Sequence, residues 1–135
     1  MPAIKKMLGQ YYSLEGIVRR GHQQGRLMGF PTANIDYSDE YLLPKQGVYA
    51  SRVEIDHQVY GAMTNLGHNP TFNTSEKLSL ETYPIGYTGN LYGRIIKVQL
   101  LEYLRPEIHF KSRENLILQL EQDVRDIKKI LLKYE

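Results

Sequence analysis

The chain has 135 residues, about one domain by the usual range of roughly 100–200, and its 41% hydrophobic and 24% charged residues argue against a disordered chain. Lys+Arg 17 against Asp+Glu 15 leaves a net charge of +2 with the basic residues scattered, so no nucleic-acid partner is expected. Cysteine is absent, which excludes disulfides, thiolate metal sites and cysteine nucleophiles; no stretch approaches the roughly 20 apolar residues of a membrane span, so the expectation is a cytoplasmic protein with no membrane partner.

From Tyr12 to Leu104 the apolar segments are short, punctuated by Gly, Pro and Asn, and several alternate with period two, the mark of half-buried strands. Tyr49, Val53 and Ile55 share one face, Asp56-His57-Gln58 reads as a turn, and a second strand runs from Val59 to Thr64. Two further strands are predicted over Leu78 to Ile85 and Leu91 to Leu101, joined through Tyr87-Thr88-Gly89-Asn90, where Gly and Asn tolerate positive φ. After Arg105 the period becomes helical: Leu116, Leu120, Val124, Ile127 and Leu131 recur every three or four residues. Ser112 is placed to cap this helix, Glu114 suits its first turn, and Glu121 and Arg125 are spaced for an i,i+4 pair. A run of short strands followed by one amphipathic helix predicts a single domain over 1–135: a small antiparallel barrel over 12–104, with a helix over 112–133 packed against it.

The window Gly16 to Asn34 holds Gly16, Gly21, Gly25 and Gly29 with Arg19, Arg20 and Arg26. Glycines let backbone N–H groups approach a phosphate, yet neither a Walker A loop nor a dinucleotide fingerprint is present, and an irregular connection reads as well. In Phe30-Pro31-Thr32-Ala33-Asn34, Pro31 favours extended backbone, which would put the Thr32 and Asn34 oxygens on one side. Hard oxygens of this kind hold Mg²⁺ beside substrate phosphates; the alternative is local bonding in a turn. Asn65-Leu66-Gly67-His68-Asn69-Pro70-Thr71-Phe72 reads as a loop after the hairpin, either a flap over a ligand or a barrel corner. Glu81 lies in the strand-like Leu78 to Tyr83, where a lone carboxylate is either solvated or a general base beside a hydroxyl substrate.

These residues, taken together, resemble the riboflavin kinase (flavokinase) family, most nearly the C-terminal domain of bacterial bifunctional riboflavin kinase/FMN adenylyltransferase, also called FAD synthetase. The resemblance runs through Gly25-Arg26-Leu27-Met28-Gly29-Phe30-Pro31-Thr32-Ala33-Asn34, Gly47-Val48-Tyr49-Ala50, Asn65-Leu66-Gly67 with Pro70-Thr71-Phe72, Leu80-Glu81, Leu91-Tyr92-Gly93, Leu104-Arg105 and the helix with Asp123. It implies an all-β fold, a six-stranded antiparallel (Greek-key) barrel with a long C-terminal helix, and transfer of the γ-phosphoryl of ATP to the ribityl 5′-hydroxyl of riboflavin, giving FMN and ADP. It further implies Thr32 and Asn34 as Mg²⁺ ligands, Gly21, Gly25, Arg26, Pro31 and Thr32 in ATP and phosphate binding, Glu81 as the base, and Arg105, in the loop before the helix, on the flavin side. Residues 1–11 are similar to the junction that precedes the kinase domain in two-domain relatives, which implies either a domain linked to or associated with an FMN adenylyltransferase domain in the native protein or a natural single-domain kinase. No His-x-Gly-His signature of that domain occurs in the chain, so adenylylation of FMN is not expected of it. Met28, Tyr83, Pro84, Gly86 and Tyr87 depart from the common family pattern, the last four close to Glu81. The competing expectation is a non-catalytic flavin- or nucleotide-sensing module on the same barrel.

Overall fold

The computed structural model describes residues 12–19, 32–38, 42–67 and 78–134. The apolar alternation produces six strands: β1 (Tyr12–Arg19), β2 (Ala33–Tyr37), β3 (Gly47–Ile55), β4 (Gln58–Gly67), β5 (Ser79–Pro84) and β6 (Ile95–Arg105). They are antiparallel throughout and close in the order β1-β2-β5-β4-β3-β6, so no sheet edge is left open. The return of β2 beside β5, past the β3-β4-β5 meander, is the Greek-key connection. The barrel interior is filled by one residue in two from each strand, among them Leu14, Ile35, Tyr49, Val53, Leu66, Leu80, Val98 and Leu100.

The helix α1 (Arg113–Leu131) begins where expected: Ser112 Oγ accepts from Asn115 N at 3.1 Å, with Glu114 in the first turn. Its stripe of Leu120, Val124, Ile127, Ile130 and Leu131 packs on a second apolar cluster, outside the barrel, made of Val48, Ala50, Met63, Tyr83 and Leu104. Residues 48 and 50 are therefore buried like their inward-facing neighbours Tyr49 and Ser51, and β3 loses the alternation that an open face would show. Arg125 donates to Gln122 Oε1 at 2.8 Å, and the expected Glu121–Arg125 pair is absent among the described residues.

Several strand boundaries differ from expectation, β6 among them running on to Arg105 rather than ending at Leu101. Leu91 does not open β6; Leu91 to Gly93 form a turn with Gly93 at φ +84, pinned to β1 by Gly93 N to Val18 O at 2.9 Å, and the strand starts at Ile95. The β3–β4 turn takes two residues, Asp56 and His57, both at positive φ (51 and 69), so β4 starts at Gln58. Asn65, Leu66 and Gly67 belong to β4 and pair with Glu81, Leu80 and Ser79, because the loop signal of Asn and Gly yields to ladder hydrogen bonds.

Candidate active site

Directly opposed residues on antiparallel strands project to the same face, so register alone assembles the site. Ala33 and Ile35 fill the interior, which turns Asn34 outward; Leu80 and Thr82 fill it from β5, which turns Glu81 outward; Thr64 and Leu66 do so from β4, which turns Asn65 outward. Asn34 pairs with Glu81, Glu81 with Asn65, Asn65 with Val48, and Val48 with Arg105. One row across β2, β5, β4, β3 and β6 thus carries a carboxamide, a carboxylate, a second carboxamide, an apolar side chain and a guanidinium. Residues far apart in sequence meet because the Greek-key return brings β2 beside β5.

Thr32 immediately precedes β2, and its Oγ1 donates to Glu81 Oε1 at 3.3 Å. Thr32, Asn34, Glu81 and Asn65 are all half-buried. The hydroxyl and carboxamide oxygens of Thr32 and Asn34 lie beside one carboxylate, a set of hard oxygens that fits a magnesium ion shared with substrate phosphates. Behind this surface, inside the barrel, the fully buried hydroxyls of Ser51, Thr64 and Thr82 form a chain, 2.6 Å and 3.1 Å between oxygens, that ties β3, β4 and β5 together beneath Glu81 and Asn65. A buried hydroxyl needs a partner, and three on adjacent strands satisfy one another.

At the other end of the row Arg105 is the last residue of β6 rather than part of a loop, because its backbone still pairs with Val48. Its Nε donates to Asp123 Oδ1 at 3.0 Å and Oδ2 at 3.2 Å, and its Nη2 to Oδ2 at 2.7 Å. Gln119 Nε2 adds a fourth bond to Asp123 at 2.9 Å. A planar guanidinium meeting a carboxylate through two nitrogens fixes the helix against the end of the row. The departures near Glu81 leave its strand regular: Tyr83 packs under α1, Pro84 ends β5, and Tyr87 stacks edge-on against Tyr60 at 5.2 Å. Gly21, Gly25, Arg26 and Pro31 lie outside the described residues, as do residues 1–11.

Asn65 of the row and Asp123 at its end carry no separate weight in the sequence. Asn65 was hidden by reading the end of β4 as a loop, although Met63, Asn65 and Gly67 alternate with the inward Ala62, Thr64 and Leu66. Asp123 sits among the charges of an amphipathic helix, and only its place, four residues from Ile127 on the packed face, distinguishes it.

A closed six-stranded barrel with one flanking helix carries a row of oxygen and guanidinium groups on its outer face. Residues 8–131 match the family model described as riboflavin kinase, and the chain belongs to this flavokinase family. The bifunctional riboflavin kinase/FMN adenylyltransferase of Listeria monocytogenes is 37% identical over 130 residues, which cover 96% of the chain and 41% of that protein. The chain thus spans about two fifths of the length of the curated relatives it matches. Among solved structures, one titled as a macrolide-efflux protein from Streptococcus pneumoniae superposes with a TM-score of 0.83 at 34% identity, over 91% of this chain and 40% of that one. The riboflavin kinase of Trypanosoma brucei shares the fold, with a TM-score of 0.66 at 24% identity, over 90% of this chain and 80% of that one. No helix among the described residues is long and apolar enough to cross a membrane.

Proposed function

We propose that this chain is an ATP:riboflavin 5′-phosphotransferase that converts riboflavin and ATP to FMN and ADP. The observation that carries the reading is the Thr32–Glu81 contact with Asn34 in register beside the same carboxylate, on a chain of the flavokinase family. Phosphoryl transfer asks a protein mainly for positioning and charge neutralisation, which a carboxylate, two neutral oxygens and a mobile polyphosphate can meet.

In this mechanism Thr32 and Asn34 would hold Mg²⁺ through their side-chain oxygens, and the ion would supply charge neutralisation for the ATP phosphates. Glu81 accepts the proton of the ribityl 5′-hydroxyl as its oxygen attacks phosphorus in line, and ADP leaves. Gly21, Gly25, Arg26 and Pro31 are assigned to ATP and phosphate binding, and Arg105, held by Asp123, borders the flavin. A sensing module would need no base beside the metal ligands, and the retained Glu81 favours turnover. The domain assignment is a single kinase domain, with residues 1–11 leading into it from an adenylyltransferase domain of the kind its bifunctional relatives are named for.

The test is incubation with riboflavin, ATP and Mg²⁺, with riboflavin, FMN and FAD separated by chromatography. FMN without FAD is the expected product; flavin binding without FMN would support the sensing module instead.

A further inference from the structure

Asn65 occupies the middle of the polar row, and its side-chain oxygen is buried yet takes no hydrogen bond within the described structure. A buried acceptor without a donor is rare in a folded protein, since it has given up water and received nothing in return. Its neighbours on the outer face of β4 offer no donor side chain. Met63 is apolar and packed under α1, and Gly67 lies beneath the carboxylate of Glu107, which fills the space a Cβ of residue 67 would need. Among the described residues no donor meets this oxygen.

The row also orders the ligand. Asn34 and Thr32 lie on the β2 side of Glu81, and Asn65 lies on the opposite side, one strand nearer Val48, Arg105 and α1. With phosphate and metal on the β2 side and the base beneath the reacting hydroxyl, the rest of the acceptor must extend over β4. Adjacent strands are about 4.8 Å apart, so the polyol crosses Asn65 before its ring reaches Val48 and the helix.

We propose that the Asn65 side-chain oxygen accepts a hydrogen bond from a secondary hydroxyl of the acceptor's polyol chain, making Asn65 the residue that selects a hydroxylated chain over a plain alkyl one. The inference rests on the kinase reading above, in which the polyol is the ribityl chain. A carboxamide oxygen can only accept, so the specificity is for a hydroxyl at that point, and the site is left with an unpaired polar atom when the hydroxyl is missing.

The experiment compares kcat and KM for wild type, Asn65→Leu and Asn65→Asp on riboflavin and on 10-(5-hydroxypentyl)isoalloxazine dimethylated like riboflavin, which keeps the primary hydroxyl and lacks the three secondary ones. Wild type should prefer riboflavin by ~10-fold or more in kcat/KM, the usual range for one buried hydrogen bond left unmade. Asn65→Leu should lose that preference, falling on riboflavin while holding or gaining on the analogue. Asn65→Asp keeps an acceptor and should keep the preference even if both rates fall through repulsion of Glu81. Parallel losses of Asn65→Leu on both substrates, or no loss on either, would overturn the role of Asn65 while leaving the kinase reading intact. Absence of wild-type turnover on riboflavin would overturn the kinase reading and this inference with it. Thermal unfolding of each variant accompanies the kinetics, so that a preference measured on folded protein decides the matter.

Discussion

Replacing Asp123 by alanine perturbs the contact that ties the helix to the barrel at the end of the polar row. The Asp123 side chain is 1% exposed and that of Arg105 14%, and the pair is joined by three N–H···O contacts of 2.7 to 3.2 Å, with Gln119 adding another. Removing one member of a buried pair leaves the other charge uncompensated, a loss of about 3–5 kcal/mol. Arg105 keeps its Nη1 bond to Pro106 O and a small opening to water, which places the expected value near the lower end, ~3 kcal/mol. For a domain of this size about 4 °C of melting temperature accompanies each kcal/mol, so thermal unfolding should shift down by ~12 °C. Helical circular dichroism followed through heat and urea gives both numbers. Because the penalty is the stranded guanidinium rather than the lost attraction, the Arg105→Met, Asp123→Leu double variant should recover most of it. A loss below about 1 kcal/mol for Asp123→Ala, or a double variant no more stable than the single, would refute the reasoning.

Thr32→Ala and Asn34→Ala should each raise the Mg²⁺ concentration needed for half-maximal turnover while leaving riboflavin affinity near wild type; unchanged metal dependence in both would remove them as ligands. Burial, with the charge of Tyr103 adding to it, raises the Tyr49 hydroxyl to about 12, and that hydroxyl donates to the Lys45 carbonyl. A raised acid keeps its proton in the fold longer than in the unfolded chain, so its contribution is complete below pH 10 and is lost as pH rises toward 12. Urea unfolding between these limits should show a steeper decline for wild type than for Tyr49→Phe, and equal slopes would refute the assignment. Gly16→Ala should destabilise the barrel by ~1–3 kcal/mol in urea unfolding, because its Cβ would lie 2.5 Å from the Asp36 carbonyl oxygen on the paired strand; wild-type stability would mean that β1 and β2 separate easily.

Local signals in the sequence reached further for the fold than for the site. Period-two alternation locates β3, β4, β5 and much of β6, though not β1 and β2, and Ser112 with the apolar stripe locates α1, because both depend on neighbours within one turn or pleat. Leu91 and Asn65 were misplaced for the same reason in reverse: a residue's strand membership is decided by the partner across the ladder, which local composition does not contain. The Gly-Phe-Pro-Thr-Ala-Asn block and Glu81 were readable as chemistry, and the likeness to flavokinases joined them. That Asn34, Glu81, Asn65 and Arg105 share one row follows only from β2 returning beside β5 and β6 pairing with β3. The Ser51–Thr64–Thr82 hydroxyl chain was equally invisible, since each member alone is an ordinary strand residue.

The measurement that bears most directly on the account is single-turnover kinetics of Glu81→Gln against wild type, with enzyme in excess over riboflavin, ATP and Mg²⁺ saturating, and flavin affinity read separately by fluorescence quenching. The substitution keeps size and removes proton acceptance, so FMN formation should slow by ~10²-fold or more while the dissociation constant for riboflavin changes little. Equal losses in rate and affinity, or a rate close to wild type, would contradict the placing of Glu81 as the base at the centre of the row.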